Sequence, residues 1–176
     1  MNKYGHIGLA LLIAGPLGLI LGYLAGIQWV ILTIIFAFIT ARVPDIDQRT
    51  EIIEHRGITH TIWFAIMVSL ALATIITQIF SSIGIGLVGD GMTIGSLVAD
   101  IPTLLLAFTG FFAGFVSHLF GDILTEAYDY TINPLWPLSN KAYTLGWTKA
   151  GSKVWNWGFL IAGIASSAGA VIFISL

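Results

Sequence analysis

Histidines and aspartates recur in this chain at spacings that suit a divalent cation. The stretch PDIDQRTEIIEHRGITH, Pro44 to His60, carries Asp45, Asp47, Arg49, Glu51, Glu54 and Arg56, although only 9% of the 176 residues are charged. It also holds His55 and His60, two of the four histidines. Further on, His118 and Asp122 stand four apart, which puts them on one helical face about one turn from each other. Thr125 joins that face, and His6 lies near the start of the chain. Neutral imidazoles with carboxylates suit Zn²⁺, Mn²⁺ or Fe²⁺. With no cysteine in the chain, disulfides and thiolate metal sites are excluded.

Taken singly, each element has an ordinary explanation. His118 and Asp122 read equally as a hydrogen-bonded pair inside a bundle, and Asp45 and Asp47 after Pro44 as a helix stop with an Asx turn. Glu51 and Glu54 read as solvated charges, and Arg56 as an anchor. The elements that carry these residues therefore decide whether they can act together.

Those elements are membrane spans. The chain is 57% hydrophobic, with a mean hydropathy of +0.93. Its apolar runs match the roughly 20 helical residues that a bilayer core requires, and backbone groups in lipid must pair within each segment. The predicted spans are Ile7–Ala25, Ile27–Val43, Thr59–Phe80, Ile101–Leu124 and Trp157–Leu176. The Gly-rich segment Ser82–Asp100 reads as a loop or re-entrant hairpin, since glycine disfavours a regular helix. Lys3 and the Gly- and Pro-containing run after it do not resemble a cleaved signal. The expectation is an all-α polytopic helix bundle of about five transmembrane helices, residues 1–176 forming one domain. A net charge of −2 argues against a nucleic-acid partner.

Basic residues set the expected orientation. With the N-terminus inside, all seven lie on the cytoplasmic side: Lys3, Arg42, Arg49, Arg56, Lys141, Lys149 and Lys153. Trp136, Trp147, Trp155 and Trp157 lie near that side, as interfacial anchors do. His6, His55, His60, His118, Asp45, Asp47 and Asp122 then fall at one membrane level, although the topology is derived from Lys and Arg alone. Gly110 and Gly114 precede His118 at the same four-residue step, so the face that carries the imidazole is also one where another helix can approach closely.

In combination, His6 before the first span, Asp45-x-Asp47, the HRGITH of His55 to His60, and HLFGDILT with His118, Asp122 and Thr125 resemble the YdjM-like family. These are small prokaryotic inner-membrane proteins described as membrane-bound metal-dependent hydrolases, and the resemblance covers almost the whole chain. Gln48 stands where a histidine often follows the Asp-x-Asp, and TEAYDYTINPLW lacks the glycine usual there. The family is in turn distantly similar to zinc-dependent phospholipase C and related nucleases, helical enzymes that use clustered zinc on phosphoesters.

The resemblance implies a metal-dependent hydrolase in a prokaryotic cell membrane. Its metal would be zinc, with manganese or iron as alternatives, in two or more ions held by His6, Asp45, Asp47, His55, His60, His118 and Asp122. Arg56 is placed to bind a phosphate fork-on, and Glu54 is the candidate general base. Thr59 and Thr125 are candidates to orient ligands. A site at headgroup level would meet membrane lipids and lipid-like or phosphorylated substrates. The rival readings are a non-enzymatic membrane protein with a structural metal site and a small transporter. A transporter would carry charges near the midplane and an internal repeat, and the sequence has neither. The orientation is checked by reporter fusions: one after Ser139 should report cytoplasmic and one within Gly84–Asp90 external. Both on one side would refute the span count.

Overall fold

The computed structural model describes residues 1–49, 56–83, 97–126 and 131–176. Five helices follow in order: α1 Lys3–Ala25, α2 Gln28–Thr40, α3 Ile62–Ser82, α4 Leu97–Leu124 and α5 Lys153–Ser175. Short 3₁₀ segments, Pro44–Arg49 and Ile58–His60, flank the connection between α2 and α3. There is no strand among the described residues, only isolated bridges of Thr125 with Thr148 and Ile132 with Tyr143. Among the described residues, five segments are long and apolar enough to cross a membrane.

Packing explains the choice of residues. α4 lies at the centre against α1, α2 and α3, while α5 packs mainly on α1. Along α3 the buried positions are Ala65, Ser69, Ala73 and Thr77, whereas Met67, Leu70, Ile75 and Ile79 are exposed. Small and polar side chains thus face the bundle, and large apolar ones face outward. That is the reverse of a water-soluble helix and the pattern expected when the surroundings are lipid.

Close approach between helices is built on small residues. A Cβ on Gly114 would strike the carbonyl of Ala37 and the hydroxyl of Thr40, so α2 lies against the α4 backbone there. The Thr40 hydroxyl donates to the Phe111 carbonyl across that contact (2.6 Å). α1 and α5 meet likewise at Gly8 and Gly163, and Ser167 donates to the Leu11 carbonyl (2.9 Å). The tight turn between α1 and α2 needs Gly26, whose φ of 106° is open to few other residues.

Several expected boundaries move. α1 begins at Lys3 rather than Ile7, which takes His6 into its first turns. Asn2 makes this start: its side chain accepts from the Tyr4 and Gly5 N–H groups, and its own N–H donates to the buried Asn156 of α5. Likewise α4 begins at Leu97 and α5 at Lys153, so the supposed loop Ser82–Asp100 gives up both its ends to helices. Residues 84–96 of that segment lie outside the described residues.

α2 departs furthest in its consequences. At 13 residues it is about 20 Å long, short of a bilayer core. The apolar span is completed only by the turn and 3₁₀ segment that follow, to Gln48. The chain therefore leaves helical geometry early and carries Asp45 and Asp47 onto the bundle. Such irregular backbone is tolerated at membrane depth where protein encloses it.

Gly114→Leu should lower stability by about 1–3 kcal/mol or more through overpacking against α2, read as a drop in the denaturation midpoint in detergent. Met67→Leu on the outward face of α3 should leave the midpoint within error.

Candidate metal centre

Four elements converge at one end of the bundle. α1 supplies His6, the segment after α2 supplies Asp45 and Asp47, the turn before α3 supplies Arg56, Thr59 and His60, and α4 supplies His118 and Asp122. His6, His60, His118 and Asp122 are at most 3% exposed. Access lies on the side of Asp45 and Arg56, whose side chains are 18% and 14% exposed.

Hydrogen bonding sets the state of the rings. The Nδ1 of His118 lies 2.7 Å from the carbonyl oxygen of Ala41. A carbonyl can only accept, so Nδ1 carries a proton, and in the neutral form of the ring Nε2 is then a bare lone pair. That lone pair faces Asp45 Oδ1 at 3.5 Å and Asp122 Oδ2 at 3.4 Å. At His60, Nδ1 lies 3.1 Å from the Thr59 hydroxyl and 3.3 Å from Asp47 Oδ2, and Nε2 lies 3.3 Å from Asp122 Oδ2. His6 stacks on His118 with ring centroids 3.8 Å apart and directs Nε2 to Asp122 Oδ1 at 3.5 Å.

The two oxygens of Asp122 therefore have different surroundings. Oδ1 is met by the Arg56 guanidinium at 3.3 Å and by the Met1 amine at 3.6 Å. Oδ2 is buried without a hydrogen bond, as is Nε2 of His118. Lone pairs turned on one another in a buried site repel, and burying such acceptors unsatisfied costs about 1–3 kcal/mol each. A cation at their meeting point removes both penalties. Two sets of donors are close enough to share an ion: His6, His118 and Asp122, and Asp45, His60 and His118. The buried histidines and aspartates could thus hold a metal ion.

The remaining predicted residues fall as follows. Asp47 Oδ2 accepts from the Thr59 hydroxyl (2.8 Å) and from the Arg56 backbone N–H (2.9 Å), so it faces the turn and the rear of His60. Arg56 itself has φ 63°, a left-handed conformation that costs a side-chain-bearing residue about 1–2 kcal/mol. Thr125 does not orient a ligand: its hydroxyl donates to the Gly121 carbonyl (2.8 Å). Glu54 and His55, like Glu51, lie outside the described residues.

Two contributors escape a reading of motifs. The Ala41 carbonyl that fixes the His118 ring is backbone and has no residue-type signature. Gln48, noted in the sequence only as a departure, donates to Asp45 Oδ1 (2.7 Å) and so holds that carboxylate toward His118. Its signal was its position, three residues after Asp45.

No curated protein and no solved structure matches the chain. The family model described as YdjM inner membrane protein matches residues 1–175. With five apolar helices and a match along nearly its full length, the chain is a multi-pass membrane protein that belongs to the YdjM inner membrane protein family.

Proposed function

We propose that the protein is a membrane-bound metal-dependent hydrolase that cleaves a phosphoester in a lipid-like or amphiphilic substrate at the cytoplasmic face. The observation that carries this reading is the meeting of the His118 Nε2 with Asp45 and Asp122, close to the Arg56 guanidinium that touches Asp122.

Zinc is the proposed ion, because imidazole and carboxylate are its usual nitrogen and oxygen donors, with manganese or iron as alternatives. Asp45, His60, His118 and Asp122 Oδ2 would hold one ion. His6 with Asp122 Oδ1 would contribute to a second position. When bound, such cations supply Lewis-acid polarisation of a phosphoryl oxygen and a nucleophilic water near neutral pH.

The chain's own residues do the rest. Arg56 stands at the accessible side, where its planar fork suits a phosphate. Gln48 and the Ala41 carbonyl hold Asp45 and His118 in orientation. Glu54 is proposed as general base from its place in the sequence. Lys3, Arg56, Lys149 and Lys153 lie in or beside the elements that form this end, which supports a cytoplasmic site by the positive-inside rule. Lipid headgroups are the phosphates nearest to such a site.

Near-complete burial of His6, His60, His118 and Asp122, drawn from three elements, also favours a second reading, in which the ion only clamps the bundle. Activity separates the two. Protein purified without chelators should retain zinc, or manganese, at more than one ion per chain, and should hydrolyse some member of a panel of phosphomonoesters, diesters and phospholipids. Metal without turnover across the panel would favour the clamp, and absence of metal would refute both readings.

His118→Ala and Asp122→Ala should each lower metal content and hydrolysis together, by elemental analysis and rate on the same preparation. Arg56→Lys keeps the charge but loses the fork. A lost charged hydrogen bond of about 1.5–3 kcal/mol corresponds to a drop of about ten- to a hundredfold in kcat/KM, with metal content unchanged. Full activity in Arg56→Lys would reduce Arg56 to an anchor.

A further inference from the structure

The two aspartates of PDID stand in different places, and the difference assigns them different work. Asp45 turns Oδ1 toward the bare Nε2 of His118 and belongs to a donor set with His60 and His118. Asp47 lies on the other side of the His60 ring. Its Oδ2 is 3.3 Å from Nδ1, the nitrogen that points away from Asp122. The same oxygen accepts from the Thr59 hydroxyl and the Arg56 backbone N–H, and that hydroxyl lies 3.1 Å from His60 Nδ1.

We infer that Asp47 is a positioning residue and not a metal ligand: together with the Thr59 hydroxyl that donates to it, it holds His60 as the Nδ1–H tautomer with Nε2 turned toward the site, and it fixes the left-handed turn that presents Arg56. This rests on the metal-binding reading above. Two features support it. A carboxylate behind a ligating imidazole fixes the ring and raises its basicity, and losing such a partner weakens metal binding about 10–100-fold without removing a donor. In addition, Asp47 accepts the N–H of the one described non-glycine residue with positive φ. The ring and the strained turn are thereby tied to one buried anion, and His60 and Arg56 are set together.

The test uses Co²⁺ as the probe ion on full-length protein in detergent. Wild type, Asp47→Asn, Thr59→Val and Asp45→Ala are compared by chelator competition and by the visible ligand-field spectrum. Asp47→Asn should reach the wild-type stoichiometry at saturation with an unshifted spectrum, at an affinity about 10–100-fold lower. Thr59→Val keeps the carboxylate but removes the hydroxyl that touches both it and His60 Nδ1, and should weaken binding by a similar factor, again with the spectrum unchanged. Asp45→Ala should change the spectrum itself, because a donor is lost. Should Asp47→Asn fail to fold, Thr59→Val still decides. Wild-type affinity in Thr59→Val, or an altered spectrum in Asp47→Asn, would overturn the assignment while leaving the metal reading intact. A wild-type protein that binds no Co²⁺ would overturn both.

Discussion

A carboxylate that faces imidazole nitrogens inside an apolar bundle is the feature on which the rest of the structure depends. Asp122 is 3% exposed, and its Oδ2 lies within 3.4 Å of Nε2 of both His60 and His118. The His118 ring cannot rotate to relieve this, because its other nitrogen is committed to the Ala41 carbonyl. Buried polar groups are gathered here where four elements meet, which makes sense if a cation belongs between them.

The bundle is arranged to keep that convergence. α2 ends at Thr40, early enough for Ala41 to reach the His118 ring and for the following segment to fold Asp45 and Asp47 over it. The contact of Gly114 with α2 makes the short helix possible at that depth, and Thr40 bonds it to α4. On α1, the Asn2 cap and Asn156 hold the turn that carries His6. Removing any one of these moves a donor, so helix packing and site geometry are a single problem here. Outward-facing leucine, isoleucine and methionine are left to lipid and contribute little to the site.

Much of this was legible in the residues. Five apolar runs gave the helices, since length and hydropathy alone determine what can span. The four-residue step from Gly110 through Gly114 to His118 and Asp122 marked the inward face of α4. Helix starts were less legible because His6, Asn156 and Trp155 lower local hydropathy although the helix hydrogen bonds continue through them. The separate orientations of Asp45 and Asp47 could not be read at all. Two aspartates two apart look alike in sequence, and only the irregular backbone of the 3₁₀ segment turns one to the front of the site and the other behind His60. The role of Gln48 was hidden for the same reason.

The central claim is that these side chains form a metal centre of nitrogen and oxygen donors. X-ray absorption at the zinc edge of protein loaded with one equivalent tests it most directly. The account predicts a first shell of about four light donors at about 2.0–2.1 Å, with outer-shell scattering from two imidazoles that is reduced in His60→Ala and in His118→Ala. An all-water oxygen shell without imidazole scattering, or zinc lost on gel filtration, would contradict it.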